Sequence, residues 1–523
     1  MTLSSSLSLR RGFYVAVLAV LMIRVGLAAW VPITGDEAYF IQWGRFPHYG
    51  FYDHPPMVGW WLWGILQISD HPLILRAPQI LLSPIIALLI PWLLRDRNDN
   101  LGYAVALAWL LLPPQVLNIA ITTDTPLVLF SFLSVACFYI GLRDDDRAAH
   151  ALSGIFLGLA LLSKYFAGLL GLAYLVFVLV SPRREKRWLD LLIILVCALP
   201  FAALNLWWNY EHCWANVLFN LYNRHGDAGF ALTKPLLFVG LLIFVGGPFV
   251  WWGFARATGL RKILCEAPHI RALWLAGVVP LAVFALLSLV KNIGLHWLFA
   301  FVPPLIIAAG LILGAPAMIR TAKWMGVFSL VLLLGVVWIA AQPIETWRHL
   351  ESYDGVIQTF RADEVLSALG EYEGKYFIAT DSYSSAVTLS YNAQRLGFLA
   401  APDQAGPRAG YIFVFGNGSH HARHDDILTD FRGFNGKNIL VLTQRQPQPV
   451  AYRPYFSRLE VRKIEVRGAD FYAVLGDNFD FDAYRRRVLE PVRRAFYRFP
   501  PYLTQGRCYF CERYFDRPLC PAG

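Results

Sequence analysis

Eleven apolar runs, most of them near the length that crosses a bilayer, leave this 523-residue chain few ways to fold. A helix rises about 1.5 Å per residue, so roughly 20 apolar residues bridge a ~30 Å hydrocarbon layer with every backbone group bonded within the segment. The runs fall near 13–31, 73–94, 101–119, 125–142, 150–163, 166–180, 189–206, 235–254, 272–290, 298–315 and 325–342. A soluble core cannot absorb them: 57% of residues are hydrophobic and only 16% are charged, against roughly 25% charged in a soluble domain. A soluble enzyme, a disordered chain and a disulfide-rich secreted domain are excluded. The expected class is an α-helical multi-pass membrane protein. The net charge of +10 fits cytoplasmic loops rich in Lys and Arg and does not call for a nucleic-acid partner.

Loop charge sets the orientation. One set of connections holds Arg10-Arg11, Arg95 and Arg97, Arg143 and Arg147, the basic run 183–187, the arginines from Arg256 to Arg271, and Arg320 with Lys323. The alternate set holds little beyond Arg45, Lys164, Arg224 and Lys291. The positive-inside rule puts the first set and the N-terminus in the cytoplasm and everything after the last span outside. The runs at 150–163 and 166–180 touch at Ser163-Lys164-Tyr165 and can also be read as one broken helix. That reading would move 183–187 outside, so two spans are expected. The apolar stretch after Arg10-Arg11 resembles a signal peptide but leads into further spans, so an uncleaved first helix is expected.

Residues 1–342, with a first outer loop at 32–72, are expected to form the membrane domain, and 343–523 a soluble extracytoplasmic α/β domain. Short apolar runs at 376–380, 411–415 and 438–442 read as buried strands, with helical sequence such as 362–369 between them. Gly416-Asn417-Gly418-Ser419 reads as a turn. The basic stretch 484–498 reads as a solvated helix, with a helix lying on lipid as the alternative. Cys508, Cys511 and Cys520 lack the fourth ligand of a structural zinc site, so one disulfide among them is expected.

The outer connections hold the chemically unusual residues. Asp36 and Glu37 stand where the first span ends, followed by Tyr52, Asp53 and His54; Asp124 sits in the second outer connection and Lys164 in the third. His212 and Arg224 lie in an aromatic segment, and Lys291 and His296 follow the ninth span. Each has a plain structural reading: Asp36-Glu37 as a helix cap or an ion pair with Arg45 or Arg76, Asp124 as a cap, and Lys164 as a side chain reaching the headgroups. Acids, bases and rings gathered on one face also suit a donor that is part lipid, part phosphate and part sugar. Cations hold phosphate, aromatic faces hold sugar, and a carboxylate takes a proton from an attacking hydroxyl.

Gly35-Asp36-Glu37-Ala38-Tyr39, followed by Tyr52-Asp53-His54-Pro55-Pro56-Met57-Val58, resembles the first outer loop of the protein O-mannosyltransferase and lipid A aminoarabinose transferase superfamily. Thr123-Asp124-Thr125-Pro126, Ser163-Lys164-Tyr165, Trp208-Asn209 with Trp214, Phe219 and Arg224, and Lys291 with His296-Trp297 resemble its bacterial members. The likeness covers residues 1–342 and implies a GT-C fold, a polyprenyl-phosphate-linked sugar donor and an inverting glycosyltransferase of the bacterial inner membrane. It implies that Asp36 is the catalytic carboxylate, with Glu37 beside it and Asp124 as a second acid. Lys164, Arg224, Lys291 and His296 would surround the donor phosphate, and Tyr52, Asp53 and His54 would line the donor. One position departs: the aminoarabinose transferases carry Glu-Lys-Pro-Pro where this chain has Asp53-His54-Pro55-Pro56, which argues against aminoarabinose as the sugar. The expected acceptor is a glycolipid of the lipid A or lipopolysaccharide type, with protein Ser/Thr as the second reading. A divalent metal is the one cofactor left open, on Asp53, His54 and His212. A transporter, the alternative from another class, would use an ionisable residue inside a span, and Arg24 is its main candidate.

Overall fold

The computed structural model describes residues 3–96, 99–182, 184–223, 229–258, 260–402, 408–416, 422–500, 503–504 and 506–516. Two compact units emerge: one from 1–31, 69–204 and 227–339, the other from 32–68, 205–226 and 340–523.

The first unit is helical, and every expected span coincides with helix. By length and composition, six helices among the described residues are able to cross a bilayer: Ser8–Trp30, Asp124–Asp144, Arg187–Glu211, Pro268–Leu287, Leu295–Leu313 and Ala315–Ala340. Thr233–Gly246 and Pro248–Arg256, bent by 96°, make a seventh when taken together. The bend has a local cause. Gly247 takes φ +78°, and Pro248 opens the next helix without an N–H to offer the previous turn. The count of full-length spans is therefore six or seven, against the eleven expected. The other four segments form shorter apolar helices, Ala77–Leu93, Asn100–Leu110, Arg147–Leu161 and Tyr165–Val180. Pro113-Pro114 explains one of them, splitting the run 101–119 into Asp99–Leu110 and Pro113–Leu117. At Ser163-Lys164 the chain does break, with Lys164 extended at φ −164°.

Two buried arginines hold backbone carbonyls that the helices leave open. Pro84 has no N–H to give Ile80, and the Ile80 carbonyl instead accepts Arg24 Nε at 3.0 Å. Arg24 also donates to the carbonyls of Gln79 and Gln115. Arg76 Nη1 donates to the carbonyls of Ala28 and Val31, at 2.9 and 2.6 Å, where the first helix ends. Arg24, the transporter candidate, thus serves as a clamp between helices.

Helices Asp124–Asp144 and Arg147–Leu161 form a hairpin. Asp145 closes the first in the left-handed region at φ 58°, and the Asp146 carboxylate caps the second by accepting the Ala148 N–H at 2.8 Å. With so short a connection the helices run antiparallel, so the start of one lies beside the end of the other.

The second unit holds a five-stranded sheet in the order β2-β1-β3-β5-β4, with β1 Phe377–Thr380, β2 Phe413–Val414, β3 Ile439–Thr443, β4 Phe456–Val466 and β5 Ala469–Phe479. β1, β2 and β3 are the strands expected at 376–380, 411–415 and 438–442, and they pair in parallel. Helix Tyr383–Leu396 makes the crossover from β1 toward β2. β4 and β5 form an antiparallel hairpin, an addition to the expected layer. Its turn is Arg467-Gly468, both at positive φ.

Helix Ala362–Ala368 lies in the stretch expected to be helical. The turn expected at 416–419 falls, past Gly416, outside the described residues. The basic stretch near 484–498 buries Tyr484, Val488, Leu489 and Val492 in the core of this unit, so its apolar face is taken by protein, not lipid.

One cysteine bond reaches outside the C-terminal cluster, and the bond expected within that cluster is left standing by Cys511. Cys508 bonds Cys213, 295 residues away in sequence, and Cys511 is disulfide-bonded as well. Cys520 lies outside the described residues. Local spacing carried no trace of a partner so distant.

Candidate active site

In the second unit, Thr34 opens the loop helix Gly35–Arg45 with a capping box. Its hydroxyl accepts the Glu37 N–H at 3.4 Å, and the Glu37 carboxylate accepts the Thr34 N–H at 3.0 Å. This arrangement separates the adjacent acids. Glu37 is fully buried and engaged in capping, while Asp36 is exposed in the first turn.

Behind Asp36 lies a hydrogen-bonded chain that joins the first outer loop to residues 423–424. The Tyr39 hydroxyl donates to Asp53 Oδ1 at 3.0 Å and accepts the His424 N–H at 3.3 Å. The Tyr52 N–H donates to His424 Nδ1 at 3.3 Å. Arg423 Nη1 donates to Asp53 Oδ2 at 3.3 Å, and its guanidinium lies 3.9 Å from the Tyr383 ring centre and 5.5 Å from that of Phe219. The segment 205–226 fixes the loop from its other side: Asn216 donates to the Phe51 carbonyl at 3.0 Å and Asn220 to that of Asp53 at 2.9 Å.

Burial sets the protonation of this chain. The His424 imidazole is pushed down to about 3 by burial, helped by His48 and His212, so it stays neutral with Nδ1 as acceptor. Burial, with Asp53 beside it, raises the Tyr39 hydroxyl well above its usual range, keeping it a donor. For Arg423, burial alone would lower the guanidinium, but Asp53, Tyr39, Tyr383 and Asp36 outweigh it and the net shift is upward.

The remaining expected donor residues of this unit are in varied settings. Tyr52 is fully buried, its ring 5.6 Å from Phe219. The His54 ring lies 6.2 Å from that of Trp43. The His212 ring stacks on Trp208 at 4.5 Å, and its Nδ1 is 2.9 Å from the Trp208 carbonyl. Arg224 lies outside the described residues. Around the metal candidates Asp53, His54 and His212, the Asp53 carboxylate accepts from Tyr39 and Arg423, and no group of three His, Cys, Asp or Glu side chains placed to hold an ion is found among the described residues.

In the first unit, the hairpin geometry brings Asp124 and Lys164 together. Lys164 Nζ donates to both carboxylate oxygens, at 2.8 and 2.9 Å, with each residue about 95% buried. Asp124 is not the cap of its helix: Thr123 holds that position, and in the turn before it Thr122 Oγ1 accepts the Asp124 N–H and Thr125 Oγ1 the Thr122 N–H, both at 3.2 Å. The carboxylate is left for the lysine. Phe166 lies 5.3 Å from Nζ and 4.8 Å from the Trp297 ring, so aromatic rings line the pair. His296, next in sequence to Trp297, is exposed, and Lys291 is half-buried just past helix Pro268–Leu287.

Sequence reasoning missed Arg423, His424 and Tyr383. The one signal was compositional, the dense run His420-His421-Ala422-Arg423-His424-Asp425-Asp426 after a glycine turn.

A family model described as dolichyl-phosphate-mannose-protein mannosyltransferase matches residues 53–208. The lipid A galacturonosyltransferase RgtD of Rhizobium johnstonii is 25% identical over 230 residues, covering 43% of this chain and 48% of that protein. The chain thus aligns with about half the length of that relative. The crystal structure of ArnT from Cupriavidus metallidurans bound to undecaprenyl phosphate matches with a TM-score of 0.55 at 14% identity, over 88% of this chain and 97% of that one. The fold is GT-C. The GT-C architecture agrees with the class expected from sequence, a helical multi-pass membrane protein carrying a small C-terminal sheet. The family match spans Asp53, Asp124 and Lys164; Asp36 and Arg423 lie outside it.

Proposed function

We propose that this chain is an inverting glycosyltransferase that moves a sugar from a polyprenyl-phosphate donor to a glycolipid of the lipid A or lipopolysaccharide type, at the outer face of a bacterial inner membrane. The observation that carries this reading is Asp36, an exposed carboxylate in the first turn of a helix whose other acid, Glu37, is consumed by capping. Support also comes from the GT-C fold, from the ArnT structure with its bound undecaprenyl phosphate, and from the lipid A galacturonosyltransferase relative. The Cys213–Cys508 bond supports an oxidising compartment for the second unit. With the basic connections of the first set inside, this leaves the N-terminus cytoplasmic and the C-terminal sheet periplasmic.

In this mechanism Asp36 takes the proton of the acceptor hydroxyl, whose oxygen attacks the anomeric carbon. The bond from that carbon to the phosphate oxygen breaks, and polyprenyl phosphate leaves as an anion. A single in-line displacement inverts the anomeric centre. The leaving group needs cations more than a general acid, and no step here runs through a metal.

The test is sugar transfer from a polyprenyl-phosphate donor to lipid A by the protein in nanodiscs. Asp36→Asn is expected to lower turnover by ~100-fold or more with donor binding retained; near-normal turnover removes Asp36 from the mechanism. A protein acceptor is favoured by the family model's description, and glycopeptides found by mass spectrometry after expression, with lipid A unmodified, would select it.

A further inference from the structure

A departing phosphate needs a positive charge near the reacting carbon, and the loop that carries Asp36 supplies little. Between Asp36 and Met57 its one Lys or Arg is Arg45. Arg45 sits at the far end of the helix that Asp36 opens, about 13 Å away at the rise of an α-helix, and its guanidinium lies over the Tyr391 ring at 5.7 Å. Among the described residues, a cation that does act on Asp36 comes from the C-terminal residues: Asp36 is one of the charges acting on Arg423.

Resting on the function proposed above, we propose that Arg423 binds the phosphate of the lipid-linked donor. Three features fit it for this role. The guanidinium lies over the Tyr383 ring at 3.9 Å, with Phe219 at 5.5 Å, contacts that restrain its planar fork before any ligand arrives. Its tie to Asp53 runs through one nitrogen at 3.3 Å, and that carboxylate also accepts the Tyr39 hydroxyl. The Arg423 side chain is 31% exposed whereas that of Asp53 is 3% exposed, so the arginine, not its counter-ion, faces outward. The backbone is also under constraint, since Arg423 sits at φ +57°, a left-handed conformation that non-glycine residues rarely adopt and that clusters at functional sites.

The decisive experiment is binding of undecaprenyl phosphate, and of uncharged undecaprenol, to the full chain in nanodiscs of neutral lipid. The wild type is expected to prefer the phosphate. Arg423→Ala is expected to weaken undecaprenyl phosphate binding by about 10-fold or more, the scale of one lost charge-assisted hydrogen bond, with undecaprenol binding unchanged. Arg423→Lys should fall between, since a point charge replaces part of the fork, and Arg45→Ala should match the wild type. Unchanged phosphate affinity in Arg423→Ala, or an equal loss for the phosphate and for undecaprenol, overturns the proposal while leaving the function proposed above standing. A wild type that does not distinguish the two lipids removes both. Retention of the Cys213–Cys508 bond on a non-reducing gel checks that the second unit is folded. If Arg423→Ala loses that bond, Arg423→Gln, which keeps a donor toward Asp53, takes its place with the same expected loss.

Discussion

Replacing Asp124 and Lys164 singly and together separates two roles that the buried pair could play. With Nζ 2.8 and 2.9 Å from the two carboxylate oxygens, the gross attraction at an effective dielectric of 20 is about 6 kcal/mol. Desolvation of two groups some 95% buried offsets much of that. Removing one partner strands the other charge, and Asp124→Asn or Lys164→Met should each destabilise by ~3–5 kcal/mol. Taken over a chain of 523 residues, an unfolding entropy of ~2 cal/mol/K per residue makes that a fall of ~3–5 °C in Tm. The double variant leaves no stranded charge and should recover most of the loss, so that it is more stable than either single variant and the coupling exceeds either single loss. The assay is thermal unfolding in detergent followed by tryptophan fluorescence, paired with undecaprenyl phosphate binding on the same preparations. A double variant no more stable than the singles would refute the ion-pair reasoning. Recovered stability with lost donor binding assigns Lys164 to the donor; recovery of both makes the pair a pin between helices.

Glu37→Ala removes half of the capping box and should cost about 1 kcal/mol of stability with turnover lowered far less than in Asp36→Asn; equal activity losses would return Glu37 to the chemistry. Acid should loosen the second unit. His424 and His212 are held down to about 3 and about 4, mainly by burial, so the unfolded chain binds more protons and stability falls as pH drops from ~6.5 toward 4. Asp425, pushed up to about 7 by burial, acts in the opposite sense: it binds its proton in the folded state and favours folding on the acid side of 7. With two histidines against one carboxylate the net slope should still be a loss in acid, and His424→Gln should flatten it; a Tm profile from pH 4 to 7.5 identical to wild type would contradict the assignment. Non-reducing peptide mapping should recover Cys213 joined to Cys508, and Cys213→Ser should cost ~2–5 kcal/mol; Cys508 found instead on Cys511 or Cys520 would rule the bond out.

What was legible in the sequence is what chemistry imposes locally. A bilayer obliges each crossing segment to satisfy its own backbone, so apolar runs mark helices wherever they occur, and every expected span coincides with one. Proline and glycine then shorten or bend several of them, as at Pro113-Pro114 and Gly247-Pro248, which is why full-length spans number six or seven among the described residues. The parallel strands β1, β2 and β3 announced themselves as short apolar runs. β4 did not, because one of its faces is exposed and charged, with Arg458, Glu460 and Arg462 along it. The acids of the first outer loop stood out by type and place, but nothing in Asp36-Glu37 told which side chain would turn inward; that follows from the dihedral angles at Thr34.

By itself, then, the amino-acid order determined the membrane class, the helices and the neighbourhood of the acidic loop, all written in spacings of a few residues. Only the tertiary structure decided that Cys213 meets Cys508, that Lys164 neutralises Asp124, and that Arg423 stands over Tyr383 beside Asp53. Those partners lie 40 to 370 residues apart, where no helical or strand periodicity reaches. Their pairing depends on how finished elements pack: a tight hairpin sets the ion pair, and the seating of residues 32–68 and 205–226 within the second unit sets the arginine and the disulfide.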